Sequence, residues 1–180
     1  MNQHLTWMAC IGMAASAAGF RLADGAESQA PSPTEPVIVR QADDGVVLLH
    51  GSAATIRGTT LRWEPQEKKR TLGFWKKVDD AAEWTFTVTR PGEFDIEVLQ
   101  GCGKGQGGSD MLVTLDPDHA EPQRIPFVVE DTGGFQEFKP RMVGRISITA
   151  PGDHVIRVKP ERIAKAAACD IRQMRLVPAR

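Results

Sequence analysis

The chain has 180 residues, 22 Lys plus Arg against 23 Asp plus Glu, and a net charge of −1, with no Tyr among its few aromatics. This length fits one domain of ordinary size behind a leader and a linker. The balanced charge points to neither nucleic acid nor an acidic partner, and no apolar run after the leader approaches the roughly 20 residues that span a bilayer.

Residues 1–26 read as a secretory signal. Leu5 to Phe20 is apolar and rich in small residues, and Ala15-Ser16-Ala17 fits a small-x-small cleavage site. The expected location is therefore secreted or periplasmic, without membrane insertion of the mature chain. Cys10 lacks the aliphatic residue three places before it that a lipoprotein signal carries. Residues 27–36, ESQAPSPTEP, are Pro- and Ser-rich and read as a disordered linker. The folded domain is expected over 37–180. Its two cysteines, Cys102 and Cys169, are open to two readings, a disulfide or a pair of buried thiols.

Val46 to His50 predicts a first strand, and Ala53 to Trp63 a further extended stretch closed at Glu64-Pro65. Lys68-Lys69-Arg70 then leads into Phe74-Trp75-Lys76-Lys77. Adjacent side chains on a strand point to opposite faces, so one of the two aromatics must face outward. Which of the two does so stays open at this point, and a solvated basic loop is the plainer reading of the segment. Indole beside Lys76 and Lys77 suits a glycan, whose C–H faces stack on an aromatic ring while its hydroxyls or sulfates take hydrogen bonds.

From Trp84 the alternation is regular. Trp84, Phe86 and Val88, then Phe94, Ile96 and Val98, share one face, while Thr, Glu and Asp occupy the other, with a reversal at Pro91-Gly92. Trp84 should be core. SITAPGDHVIRV (147–158) aligns without a gap on TVTRPGEFDIEV (87–98), which predicts a second hairpin and puts His154 in the slot of Phe94. Gly103 to Gly108 spells G-x-G-x-x-G. A strand rather than a helix follows it, which excludes a dinucleotide fingerprint. The glycines instead suit tight reversals at the end of a sandwich, with Lys104 and Gln106 placed to reach a ligand. Asp116-Pro117-Asp118-His119 reads as a turn, Arg124 to Glu130 as a strand, Glu161 to Ala168 as a loop, and Ile171 to Val177 as the last strand. Eight to ten short strands in this order predict an all-β antiparallel sandwich. No nucleophile elbow, zinc-helix motif or Cys-x-x-Cys occurs, so no catalytic residue is assigned.

These segments carry a resemblance. VVLLHGSAATIRG, the Trp84 strand with its Pro-Gly reversal, and TGGFQEFKPRMVGRISITAPGDHVIRVKP with CDIRQMRLVP resemble galactose-binding-like jelly rolls, the carbohydrate-binding modules of families six and thirty-five. LGFWKKVDDAAEWTF, VLQGCGKGQGGSD and VEDTGGFQEFKPR resemble more narrowly a domain at the C-terminus of bacterial secreted sulfatases and fucosidases. The resemblance implies a jelly roll that binds a polysaccharide, sulfated or fucosylated, without catalysing a reaction on it, and that associates with a sulfatase or another glycan-degrading enzyme. Families six and thirty-five place an aromatic in a loop at the sandwich end, which by resemblance makes Trp75 the candidate, with Trp63 second; Trp75, Lys76, Lys77, Lys104, Gln106, Lys139 and Arg141 are the expected binding surface. Modules of this kind hold a structural calcium with a Glu-x-Glu; here that stretch is His50-Gly51-Ser52, which leaves Asp170 as the one matching metal-ligand position and no cofactor assigned. A docking module without glycan binding is the alternative reading, and a small hydrolase a third.

Overall fold

A computed structural model describes residues 37–180. The leader expected over 1–26, with Cys10, and the linker over 27–36 lie outside the described residues. In chain order the elements are β1 (Ile38–Arg40), β2 (Val47–His50), a 3-10 turn (Gly51–Ala53), β3 (Thr55–Arg57), β4 (Arg62–Glu64), β5 (Thr71–Gly73), β6 (Ala81–Val88), β7 (Gly92–Cys102), β8 (Asp110–Leu115), β9 (Gln123–Val128), β10 (Gly134–Ile148), β11 (Gly152–Arg162) and β12 (Asp170–Pro178). The first sheet runs β1-β6-β11-β8-β9, with β3 sharing the β1 edge of β6; the second runs β10-β7-β12-β5-β4, with β2 sharing the β5 edge of β12. All pairs between named strands are antiparallel except β1 with β6.

Alternation put the right residues inside. Trp84, Phe86 and Val88 of β6 meet Phe94, Ile96 and Val98 of β7 in one core, joined by Ile156 and Val158 of β11 and by Met174 and Leu176 of β12. The indole of Trp84 donates Nε1–H to the carbonyl of His50 at 2.8 Å, so its one polar atom is satisfied where it is buried. The outer face of the second sheet carries cross-strand ion pairs, Arg145 with Asp95 at 2.7 Å and Arg175 with Glu97 at 3.0 Å.

The two Pro-Gly reversals are not hairpins. β6 lies in the first sheet and β7 in the second, and β10 and β11 are divided in the same way. Each reversal is an arch that carries the chain across the core. The similar segments then pair with each other, β6 with β11 and β7 with β10. The glycine closing each arch has positive φ, 154° at Gly92 and 139° at Gly152, with nothing near where a Cβ would stand. His154 lies opposite Phe86 on β11, its ring 5.8 Å from the Phe86 ring and its Nδ1 2.8 Å from Asp116 Oδ2. It is a structural histidine, as its slot in the repeat suggested.

Two further expectations are corrected by the same geometry. The extended stretch over 53–63 is broken at Gly58 (φ 103°), because the chain wraps the Asp80 carboxylate between β3 and β4. The last strand bulges between Ile171 and Gln173, which turns Ile171 inward along with Met174 and Leu176.

Cys102 and Cys169 are free, buried thiols. Burial pushes the Cys102 thiol up to about 11 and holds Cys169 well above its ordinary range. Since the thiolate is the reactive form, a thiol reagent at neutral pH should leave both unmodified in the native chain and label both after denaturation. Peptide mapping by mass spectrometry reads this directly, and labelling of either residue in the native chain would contradict it.

Candidate ligand-binding site

The Phe74-Trp75 pair is resolved the opposite way from expectation. β5 ends at Gly73, Phe74 takes φ 65°, and the chain swings Trp75 into the core at 0% exposure. Its Nε1–H donates to the carbonyl of Asp80 at 3.2 Å, and its own carbonyl accepts from Ala168 N at 2.8 Å. Trp75 therefore cannot stack on a ligand. The half-buried aromatic at this point is Phe74. The Arg62 guanidinium carbon lies 3.5 Å from its ring centroid and Lys76 Nζ 5.3 Å. A bulky side chain in the left-handed region costs about 1–3 kcal/mol and persists where surrounding structure imposes it, commonly at functional sites.

Phe74 lines a pocket of about 240 Å3 with Glu64, Lys69, Lys76, Phe135, Gln136, Ala166, Ala167 and Asp170. Each side chain arrives for a local reason. Phe135 is set by the glycine-rich loop: a Cβ on Gly103 would fall 2.7 Å from its ring, and one on Gly101 would collide with its carbonyl. Gly101, Gly103 and Gly107 have no room for a Cβ because another stretch of chain lies on them, whereas Gly105 and Gly108 take positive φ. Asp131 ties the two together by accepting from Gly105 N and from Gly133 N, the latter at 2.8 Å. Those backbone bonds, with the nearby charges of Lys104 and Lys139, hold its carboxyl below the ordinary range. The alanines belong to the loop before β12, held by Ala166 N donating to Gln106 Oε1 at 3.3 Å and Ala164 N to Ser109 Oγ at 3.0 Å.

Acidic groups form the floor. Glu64 Oε1 pairs with Lys69 Nζ at 2.6 Å. Arg172 of β12 places that lysine by donating to the carbonyls of Lys68 and Lys69 at 3.0 and 2.9 Å. Asp170 begins β12 at 5% exposure, and no described hydrogen bond or ion pair reaches its carboxylate. Burial first, and then the neighbouring Glu64, push it up to about 7, against the pull of Lys69. Both carboxyls crowd Gly73, where a Cβ would stand 2.6 Å from Glu64 Oε2 and 3.0 Å from Asp170 Oδ1.

The residues expected to form one surface are divided. Lys76 is at the pocket mouth. Gln106 supports the pocket from behind through Ala166. Lys104 and Lys139 flank Asp131 beside it, and Lys77 is engaged with Thr59 Oγ1 at 2.9 Å. Arg141 lines a different cleft. Trp63, the second aromatic candidate, packs edge-on against His50 with ring centroids 5.3 Å apart. Phe74 and Phe135 were missed because nothing local marks which aromatic faces out once a strand ends on a positive φ.

As a calcium site this floor is poor. Calcium takes about six to eight oxygens, whereas the floor offers two carboxyls, one already paired with an ammonium. His50 Nδ1, at the position of the missing Glu-x-Glu, is 2.8 Å from Ser52 Oγ. Among the described residues no group of three or more His, Cys, Asp or Glu side chains converges.

The described chain resembles solved binding modules. A family 35 carbohydrate-binding module from Clostridium thermocellum superposes with a TM-score of 0.59 at 11% identity, over 72% of this chain and 97% of that one. The C-terminal family 6 module of the laminarinase LamC from Zobellia galactanivorans gives 0.54 at 12% identity, over 73% and 98%. The fold is the antiparallel jelly-roll β-sandwich that these modules share. A family 6 module of Cellvibrio mixtus lichenase 5A, solved with cellotriose, matches at 0.54 and 13% identity over 74% and 97%. Where the similar structure is a larger protein, the chain spans only a part of it, 28% of the Podospora anserina mannanase that carries a family 35 module. No protein-family profile and no curated protein sequence matches the chain.

Proposed function

We propose that this jelly roll is an exported, non-catalytic carbohydrate-binding module whose ligand sits between Phe74 and Phe135. The carrying observation is Phe74 itself, a bulky side chain held at φ 65° where its ring walls an open pocket. Sugar C–H faces stack on such rings, and Lys76, with Arg62 behind Phe74, supplies positive charge at the mouth. That charge favours a sulfated polysaccharide, or a fucosylated one bearing sulfate, and with it association with a sulfatase or another glycan-degrading enzyme.

Hydrolysis is the weaker reading. Glu64 and Asp170 both crowd Gly73 on the pocket floor, and Glu64 is neutralised by Lys69, so neither is arranged across an open gap as a glycosidase pair must be.

The test is affinity gel electrophoresis of the whole chain in sulfated and neutral polysaccharides, beside Phe135→Ala and Phe74→Gly. Glycine accepts φ 65° without strain, so Phe74→Gly removes the ring while relieving the backbone. We expect retardation in at least one sulfated gel. Each variant should weaken it about tenfold, as loss of an aromatic anchor does, with the thermal midpoint of Phe74→Gly near that of the parent. Retardation that salt abolishes and neither variant alters would mean diffuse charge attraction. No retardation in any gel would shift the reading to a docking module.

A further inference from the structure

The start of β12 lies against the end of β7 and brings the two buried thiols opposite each other. Asp170 pairs with Gly101 and Ile171 with Gln100 in antiparallel register. One step further along that register, Cys169, the residue before β12, stands across from Cys102. Both are 0% exposed and belong to the same core. Cys102 Sγ lies 3.9 Å from the carbonyl oxygen of Ala168, the chain neighbour of Cys169.

The backbone of Cys102 decides what kind of pair this is. Its N–H donates to Thr132 Oγ1 at 2.7 Å, and its carbonyl accepts from Thr132 N–H at 3.2 Å. On a strand the N–H and C=O of one residue leave on the same side, so Cys102 turns both toward the segment before β10 and neither toward Cys169. The two cysteines therefore face each other as a non-hydrogen-bonded antiparallel pair. In such pairs the Cα atoms stand about 4.5 Å apart and the side chains are close. A disulfide spans Cα separations of roughly 4.4–6.8 Å.

We infer that Cys102 and Cys169 are a modification site, a dithiol that closes to a cross-strand disulfide when the chain folds in an oxidising compartment. One cysteine thiolate attacks a small disulfide oxidant such as oxidised glutathione and expels one glutathione thiolate. The other cysteine attacks the mixed disulfide and releases the second glutathione. Two thiols are oxidised, one S–S bond forms between them, and one glutathione disulfide is reduced to two thiols. Burial shields both sulfurs in the folded, reduced chain, so the bond is made while β12 is still docking on β7. Once made, it is shielded from reductants by the same burial. The cross-link joins the stretch that carries Asp170 to the stretch whose Gly101 and Gly103 seat Phe135. The loop it closes carries β8 to β11, and closing a long loop stabilises by removing conformations from the unfolded chain.

The test uses the whole chain with Cys10→Ala, so that only this pair can react. Denatured, reduced protein is refolded in a mixture of oxidised and reduced glutathione, and in parallel under excess reductant. Peptide mapping by mass spectrometry without reduction should find the Cys102 and Cys169 peptides joined in the first sample and separate in the second. The joined form should melt about 5–15 °C higher. Adding Cys169→Ala should make the midpoint the same under both conditions, whatever the substitution itself costs. Two alkylatable thiols in the oxidised sample, or glutathione held on either cysteine, would overturn the inference. A joined chain that melts no higher than the reduced one would also overturn it, because the native register would then not accommodate the bond.

Discussion

Asp80→Ala should cost about 3–5 kcal/mol of folding stability, measured by chemical denaturation, because it orphans a cluster of donors at once. The fully buried Asp80 carboxylate accepts from Thr59 N at 2.8 Å, Thr60 N at 3.1 Å, Leu61 N at 3.2 Å and the Thr60 hydroxyl. Burial by itself would raise its pKa. The hydrogen bonds from Thr60 and Thr59 outweigh burial and hold it below the ordinary 3.8. A carboxyl depressed in the folded state contributes stability that is fully present above its unfolded value and is lost as pH falls through the folded one. The gap between the parent and Asp80→Ala curves should therefore narrow in acid, as pH falls through the folded value below 3.8. Asp80→Asn retains one acceptor oxygen and should lose less. A loss under about 1 kcal/mol for the alanine variant would show that the loop between β3 and β4 finds other partners.

Asp170→Asn should do the reverse and stabilise the chain at neutral and alkaline pH. The folded carboxyl holds its proton to about pH 7, raised by burial and then by Glu64 from the ordinary 3.8. The folded chain thus binds this proton more tightly than the unfolded chain, and stability falls as pH rises between those two values. Above them the penalty is complete, roughly 4 kcal/mol at 1.36 kcal/mol per pH decade. An amide cannot ionise, so the variant should be more stable than the parent by up to that amount at pH 8, and nearly equal to it at pH 4. Thermal or urea unfolding of both proteins across this range is the measurement. A constant difference at every pH would mean that the change acts through packing rather than through the charge. The same residue lines the pocket, so glycan retardation at pH 5 and pH 8 also reports whether its proton is used as a donor to the ligand.

Much of this protein was legible in its residues. The period of two through Trp84, Phe86 and Val88, and through Phe94, Ile96 and Val98, identified the inward face, because successive side chains on a strand point to opposite sides wherever that strand lies. The strand after the G-x-G-x-x-G run excluded a nucleotide loop, and β8 stands there. Alternation is blind to which sheet a strand joins. Two apolar faces look the same along the chain whether they lie side by side in a hairpin or face each other across a core. Only the tertiary structure decided that Pro91-Gly92 and Pro151-Gly152 are arches. It also decided the site. The strand rule required one of Phe74 and Trp75 to face out, and the positive φ at Phe74, imposed by the end of β5 and by Trp75 anchoring to Asp80 and Ala168, determined which one. Phe135 and Asp170 reach the same pocket from β10 and β12, far from Phe74 in sequence. Their convergence follows from sheet pairing across long separations, which no local pattern encodes.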